Sequence, residues 1–198
     1  RYRDQNDDER GFVKMIKNNT ITWTYTMDNG IWKVIAHEGK IYVGTQWASL
    51  SDGAAKIKRL TPNSQTPDWS YSADDRDFNQ ITSLVIDADN SVYGGGLTSH
   101  IHKVLSDGTP DWKIQTFQNT VALAIDPINE YLYTGTHGGP DEKFEISKRD
   151  LDGNIEWNFT GGQDMIYGLE IDSNGYIYAG DGKGYITKIS PEKDIVWS

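Results

Sequence analysis

The stretch "LSDGTPDW" at residues 105–112 places an Asp-Gly pair shortly before a tryptophan, and "LDGNIEW" at 151–157 repeats the arrangement. An Asp-Gly pair supplies the positive φ that a tight hairpin needs. The tryptophan that follows supplies a large apolar ring for packing. We therefore interpret both stretches as the same turn and strand of a repeated scaffold, and not as a catalytic signature.

Two aromatic markers recur along the chain with one period. Tryptophans lie at Trp23, Trp69, Trp112, Trp157 and Trp197, so the successive spacings are 46, 43, 45 and 40 residues. The triplets YVG, YGG, YTG and YAG begin at Tyr42, Tyr93, Tyr133 and Tyr178. A β-branched anchor lies before each tryptophan, at Val13, Ile57, Ile101, Ile146 and Ile186. This pattern predicts four short strands in each unit, which we name A to D. The tyrosine lies on strand B, the anchor on strand C and the tryptophan on strand D.

Four-stranded units of this length in series are typical of a β-propeller, whose blades pack face to face around a channel. We predict an all-β chain with a single propeller domain over 1–198 and about five visible blades. The approximate units are 1–29, 30–80, 81–120, 121–165 and 166–198. The first unit lacks strand A, so either a segment outside this chain supplies a closing strand or the units are part of a larger ring. We expect the chain to be a fragment, with five blades visible. Ile101 and Val104 should pack against different neighbouring blades, since they point to opposite faces of strand C.

The stretch "IDSNGYIYAG" at 171–180, with Gly108–Trp112 and Gly153–Trp157, resembles the pyrroloquinoline-quinone-type (quinoprotein-like) propeller repeat. In that family each blade ends in a turn glycine four residues before a tryptophan. Asn19, Gln65 and Lys193 hold the glycine position in the other units. The resemblance implies the propeller fold. Its members include quinone-dependent dehydrogenases, an outer-membrane assembly lipoprotein, and propellers of bacterial surface proteins and tailed-phage virions.

Composition excludes several classes of partner. The chain has 19 Lys and Arg against 29 Asp and Glu, a net charge of −10, so nucleic acid and anionic lipid surfaces should be repelled. It has no apolar run of membrane-spanning length, so we expect no membrane insertion. It has no cysteine, which excludes disulfides and thiolate chemistry within this chain.

Loop lengths indicate which rim is functional. The A–B and C–D spans are nearly constant, whereas the B–C and D–A spans vary, and the latter two emerge at the same end of each blade. The candidate binding residues on this acidic rim are Trp47, Asp74, Asp75, Asp77, Phe78, His137, Asp141, Glu142 and Asp181. Carboxylates beside aromatics favour a protein partner or a glycan. The preference of Asp, Asn and Gly for loops explains the same composition without any ligand.

Other motifs have a chemical and a structural interpretation. "DADN" at 87–90 and "DSNG" at 172–175 suggest calcium loops or, more simply, hairpin turns. His100 and His102 lie two apart on one strand face and would form half a metal site, or part of a polar column. Arg59, Lys103, Lys148 and Lys188 occupy one repeat position and are expected to neutralise acidic neighbours.

We predict a non-enzymatic binding or assembly module with no catalytic residue, metal or cofactor. We expect it in a surface-exposed or virion protein, such as a phage tail or appendage, outside the cytoplasm. The alternative is an enzyme, either quinone-dependent dehydrogenase-like or glycan-active. A glycosidase would need two carboxylates facing each other across the channel mouth, and Asp75, Asp141 and Asp181 are the candidates.

Overall fold

A computed structural model describes residues 2–3, 9–46, 54–72, 80–97, 100–116, 119–136, 144–161 and 164–198. These residues form five antiparallel sheets in which the strands are hydrogen-bonded in chain order. The first sheet contains β1 (Tyr2–Arg3), β2 (Glu9–Lys17) and β3 (Thr20–Met27), and the second contains β4 (Ile31–His37), β5 (Lys40–Thr45), β6 (Lys56–Leu60) and β7 (Trp69–Ser72). The third contains β8 (Ile81–Ile86), β9 (Val92–Gly96), β10 (His100–Val104) and β11 (Pro110–Gln115). The fourth contains β12 (Thr120–Ile125), β13 (Leu132–Thr136), β14 (Phe144–Arg149) and β15 (Ile155–Gly161), and the fifth contains β16 (Ile166–Ile171), β17 (Ile177–Asp181), β18 (Ile186–Ile189) and β19 (Ile195–Trp197).

The predicted all-β propeller with four-stranded blades is confirmed, and the first sheet has three strands in the described residues. Sequence explains the local geometry, because short strands rich in β-branched and aromatic residues alternate with turns that hold positive φ. Two-residue hairpins lie at Asn18–Asn19 (φ 50° and 58°) and Glu38–Gly39 (φ 46° and 73°). Two successive positive φ values are the mark of a type I′ turn, which matches the twist of the strands it joins. In the described part of the chain, no helical segment has the length and apolarity needed to cross a bilayer.

The core is divided into four apolar clusters, each lying between two consecutive sheets. Ile101 packs with Leu123 and Leu132 of the fourth sheet. Val104, on the same strand, belongs to the cluster shared with the second sheet. The prediction that the two residues face different blades is therefore confirmed. Each fully buried aliphatic side chain of this kind contributes about 1.5–3 kcal/mol.

The inner strands β4, β8, β12 and β16 contact one another in succession. One polar bond joins two of them, since the Leu123 backbone N–H donates to Ser83 Oγ at 2.9 Å. Strand A of every four-stranded sheet therefore lies on the inside, and strand D, which carries the tryptophan, lies on the outside.

Candidate functional site

A cross-strand row of three side chains repeats in every four-stranded sheet. The register pairs the strand-B tyrosine with a strand-C cation, and that cation with the strand-D tryptophan. The rows are Tyr42–Arg59–Trp69, Tyr93–Lys103–Trp112, Tyr133–Lys148–Trp157 and Tyr178–Lys188–Trp197, and their tyrosine and tryptophan ring centroids lie 6.2, 5.7, 5.9 and 6.3 Å apart. This row lies on the face that each sheet turns toward the next sheet of the chain, which we call the forward face.

The tryptophans connect each sheet to the next one. The indole N–H of Trp23 donates to Ser64 O at 3.0 Å, that of Trp69 to Ser106 O at 3.0 Å, and that of Trp112 to Leu151 O at 3.1 Å. Every acceptor lies in the C–D turn of the following sheet. At the next joint, Lys193 Nζ of the fifth sheet lies 5.9 Å from the ring centroid of Trp157.

The turn glycines of the opening motif receive these tryptophans. Gly108 has a φ of 93°, and a Cβ built on it would lie 2.6 Å from Cγ of Trp69. Gly153 has a φ of 90°, and its Cβ would collide with Ile114 and approach Trp112. Two separate reasons therefore require glycine at these turns. The backbone is left-handed, and a side chain of the preceding blade occupies the space that a Cβ would need.

The turn of the second sheet corrects one prediction. Asn19 and Lys193 do have positive φ, at 58° and 76°, but in the second sheet the positive φ belongs to Asn63 (69°) and not to Gln65. The C–D connection at 61–68 is longer than its counterparts and closes early, with the Ser64 N–H donating to Thr61 O at 3.1 Å. The extra residues therefore follow the turn instead of lengthening it.

The strand-C cations act inside the scaffold. Arg59 Nη1 donates to Ser106 O at 2.6 Å and its Nε to Asp68 at 3.1 Å. Lys103 Nζ lies 3.1 Å from Asp111 Oδ2. The predicted neutralisation of acidic neighbours is therefore confirmed for Arg59 in the second sheet and Lys103 in the third. In the later blades Lys148 Nζ lies 3.6 Å from the ring centroid of Tyr131, and Lys188 Nζ lies 4.0 Å from that of Tyr176. These four cations stabilise rings, carboxylates and turns.

The A–B turns are hairpin turns, as the simpler interpretation of "DADN" and "DSNG" predicted. Asp87 Oδ1 accepts the Ser91 N–H at 2.8 Å, and its Oδ2 accepts the Tyr93 hydroxyl at 2.9 Å. Asp172 repeats this pattern with Tyr176 N–H and the Tyr178 hydroxyl, both at 3.0 Å. Partial desolvation opposes ionisation of Asp172, but the hydrogen bonds it accepts outweigh that effect and hold the pKa of its carboxyl below the ordinary value. The carboxylates therefore anchor the marker tyrosines.

His102 is a buried part of the joint between the second and third sheets. Its Nδ1 lies 2.8 Å from the Tyr71 hydroxyl of β7, and the His100 ring centroid lies 6.3 Å from its own. Burial, with a smaller effect from His100, lowers the pKa of His102 to about 4. Within the described ranges, no three His, Cys, Asp or Glu side chains lie together in a way that could hold a metal ion.

The B–C and D–A connections meet at one end of each sheet. The Gln46 N–H donates to Gly30 O at 2.9 Å, the Leu97 N–H to Gln80 O at 3.2 Å, and the Gly182 N–H to Met165 O at 3.0 Å. Each bond joins the start of a B–C connection to the end of the D–A connection in the same blade. The two kinds of variable loop therefore share one rim.

Most of the nominated rim residues lie outside the described residues: Trp47, Asp74, Asp75, Asp77, Phe78, His137, Asp141 and Glu142. Asp181 is described, ends β17 and is 9% exposed. Its Oδ1 accepts the N–H groups of Lys183 and Tyr185, both at 3.0 Å, so it holds the B–C turn of its own blade. Asp181 was one of three carboxylates considered for glycoside hydrolysis, and its carboxylate stabilises a turn. The other two, Asp75 and Asp141, are among the residues not described.

Two exposed aromatics at the rim ends of inner strands were missed by the sequence analysis. Trp32 and Tyr167 are the second residues of β4 and β16, and they are 46% and 66% exposed. The Trp32 indole N–H donates to Gln46 Oε1 at 3.0 Å. Thr82 and Val121 hold the same position in the two blades between them. That contrast in size, visible once the repeats are aligned, was the available signal.

Comparison with known proteins identifies the architecture. No family model and no curated protein sequence matches the chain. Among solved structures, "Crystal structure of RRP9 WD40 repeats" has a TM-score of 0.71 at 14% identity over 86% of this chain, and "Structure of U3-55K" has 0.70 at 13% over 86%. "Crystal Structure of Mitotic Checkpoint Complex" has 0.69 at 10% over 87%. The chain spans about half the length of these matched chains, covering 51%, 52% and 52% of them respectively. At such identities the likeness shows the fold alone, and this chain has the architecture of a β-propeller.

Proposed function

We propose that this chain is a non-enzymatic β-propeller module that binds a protein partner at the rim formed by its B–C and D–A connections. The observation that carries the proposal is the pair Trp32 and Tyr167. Both are large aromatics exposed at the rim ends of inner strands, although the intervening blades have Thr82 and Val121 at the same position. Aromatic side chains are the commonest anchors of protein interfaces.

The scaffold around the pair favours binding because it is rigid. Trp32 lies on an inner strand that is packed between two neighbouring blades and is held by its hydrogen bond to Gln46. Tyr167 lies on an inner strand that packs against the fourth sheet. An anchor that is ordered before the partner arrives loses little side-chain entropy on binding. Residues on loops carried by such a scaffold provide the remaining specificity.

Charge suggests the chemistry of the partner. The chain has a net charge of −10, and the nominated rim residues include Asp74, Asp75, Asp77, Asp141 and Glu142. Together with Trp47, Phe78 and His137 they belong to the proposed surface. We infer a partner with a basic patch, because opposite charge speeds association and excludes acidic competitors. The resemblance to propellers of bacterial surface proteins and virions makes a surface-exposed or virion protein the proposed setting.

The described residues favour binding over catalysis. Of the three carboxylates considered for a glycosidase, the structure describes Asp181. This residue is buried, and its carboxylate accepts hydrogen bonds from the B–C turn of its own blade. The place of this carboxylate in a turn therefore gives no support to a quinone-dependent or glycan-active reaction.

The test uses two variants of the chain and two probe collections. W32A/Y167A removes both anchors, and I155A removes an equally exposed aliphatic side chain from an outer strand. A displayed library of random peptides and a glycan array are the probes. We expect peptides rich in Lys and Arg to be selected and to bind the double variant at least about tenfold more weakly, with I155A unchanged. Selected peptides that bind the double variant as well as the unaltered chain would overturn the proposal. Glycan binding with the same loss would replace the protein partner by a carbohydrate.

A further inference from the structure

Three successive joints share a glycine of strand B that is covered by the next blade. A Cβ on Gly44 would lie 2.6 Å from Ile81, one on Gly135 would lie 2.6 Å from Ile166, and one on Gly95 would lie 2.8 Å from Thr120 O. In each case the residue above the glycine begins the inner strand of the following sheet. Each joint is therefore made by seating the start of an inner strand on a glycine.

The fifth sheet carries a forward face of the same kind, and the described residues leave that face uncovered. Gly180 takes the place of Gly135, and a Cβ built there meets no atom within 4 Å. Ile186, paired with Gly180 in the register, is 55% exposed, whereas its equivalent Ile146 is 0% exposed. Trp197, at the end of the row, is 48% exposed.

We propose that the forward face of the fifth sheet, formed by Gly168, Glu170, Tyr178, Gly180, Ile186, Lys188 and Trp197, is a docking surface for a further four-stranded blade of the same repeat. The preceding joints fix what that blade brings. Its inner strand begins with a β-branched residue, as Ile81, Thr120 and Ile166 do, and this residue covers Gly180. Its C–D turn places a backbone carbonyl at the indole N–H of Trp197, as Ser106 and Leu151 do for the earlier tryptophans.

One side chain of the surface makes the requirement more specific. Glu170 is paired with Tyr178, at the position that Val85 and Ala124 hold opposite their tyrosines. A carboxylate covered by a blade needs a hydrogen-bond donor or a cation facing it. We therefore expect the docking blade to present a Lys, Arg or hydroxyl-bearing residue there.

A second copy of this chain is a poorer occupant. The sheet that it would offer head to tail is the first one, which in the described residues has no inner strand to cover Gly180. A complete blade has that strand. The length comparison agrees, because the chain covers only 51–52% of the solved propeller chains it matches, which leaves room for further blades.

The test uses the absence of cysteine from the chain. I186C places a single thiol on the docking surface, where we expect fast reaction with a thiol reagent. The chain is then extended by a second copy of residues 159–198 after Ser198, which continues the register because Trp197–Ser198 corresponds to Trp157–Asn158. This copy already docks on the fourth sheet. We expect it to dock again and to slow the reaction of the I186C thiol at least about tenfold.

Two further variants make the result decisive. G180R has open space in the unextended chain and should fold normally, but in the extended chain it blocks the new inner strand and should restore fast reaction. E170A converts the surface to the alanine of the fourth sheet. Protection that appears only with E170A would support the docking surface and its need for a donor opposite Glu170. Equal reactivity of the I186C thiol in the unextended chain and in both extended chains would overturn the proposal.

Discussion

The forward faces of the fourth and fifth sheets share a tyrosine, a lysine, a tryptophan, a glycine and an isoleucine, which are covered in one sheet and open in the other. Ile146 and Tyr133 of the fourth sheet are buried by the blade that follows them, whereas Ile186 and Tyr178 of the fifth sheet are largely or partly open. The register and the tyrosine–cation–tryptophan row are identical. The repeat therefore encodes contacts between blades, and the energy of those contacts is realised only where a neighbour is present.

The strongest test of this contrast is a matched pair of truncations. Ile146→Ala should lower the free energy of unfolding by about 2–5 kcal/mol, because it leaves a cavity in the joint between the fourth and fifth sheets. Ile186→Ala should change it by less than about 0.5 kcal/mol, since its side chain is already exposed. Urea unfolding followed by circular dichroism measures both. Equal losses would show that the two faces do not differ in packing.

A pair of glycines separates backbone strain from contact with a tryptophan. Gly108 and Gly184 have nearly the same φ, 93° and 90°, but only Gly108 lies against the Trp69 ring. Gly108→Ala should cost about 3 kcal/mol, since the strain of the left-handed backbone and overpacking both apply. Gly184→Ala should cost about 1 kcal/mol from the backbone alone. A cost for Gly184→Ala as large as that for Gly108→Ala would contradict the role given to Trp69.

Acidification should weaken the joint between the second and third sheets in particular. Burial lowers the pKa of His102 to about 4, from the ordinary histidine value of 6.5. As the pH falls below 6.5, the unfolded chain takes up the proton first, so stability is lost until the pH falls below the folded value. Between pH 7 and about pH 5 we expect this residue alone to cost about 2 kcal/mol.

His102→Gln keeps a polar partner for Tyr71 and does not titrate. Unfolding free energies of this variant, measured by urea denaturation across the same pH range, should lack that loss. The equivalent residues Ser147 and Thr187 have no charge to gain, so the other joints should not respond in this way. An unchanged pH dependence in the variant would assign the loss to other groups.

The smallest expected effect compares two tyrosine hydroxyls. Tyr93 and Tyr178 each donate to an A–B turn aspartate, at 2.9 and 3.0 Å. Tyr93→Phe should cost about 1–2 kcal/mol, because Asp87 is buried and loses a donor there. Tyr178→Phe should cost about half as much, since solvent reaches Asp172. Thermal unfolding of the two variants at one pH measures the difference. A larger loss for Tyr178→Phe would contradict the expectation that the hydroxyl bound to the buried aspartate contributes more.

Much of the fold was predictable because its markers are tied to the joints. The tryptophans, the YxG tyrosines and the strand-C anchors occupy fixed register positions, so their period gave the blade and its four strands. Ile101 and Val104 were assigned to opposite faces by the alternation of a strand alone. The turn aspartates were interpreted correctly because hairpin chemistry is local.

The remaining features depend on neighbours that a linear pattern does not contain. Gln65 was placed at a turn position that Asn63 occupies, because an insertion does not reveal on which side of the turn it falls. The four strand-C cations were seen as a column, but their insertion between tyrosine and tryptophan appears only in the register. Trp32 and Tyr167 were missed because their exposure is decided by the loops around the rim.

The indole hydrogen bonds of the strand-D residues Trp23, Trp69 and Trp112 all point in one direction along the chain, from the tryptophan to the C–D turn of the blade that is synthesised after it. Synthesis on the ribosome runs the same way. The outermost strand of a newly made blade therefore waits, with its tryptophan unsatisfied, until the next repeat has emerged far enough to form its C–D turn. Folding during translation should lag one repeat behind the exit tunnel, and a pause in elongation would leave one forward face, from its inner strand to its outer strand, open to chaperones.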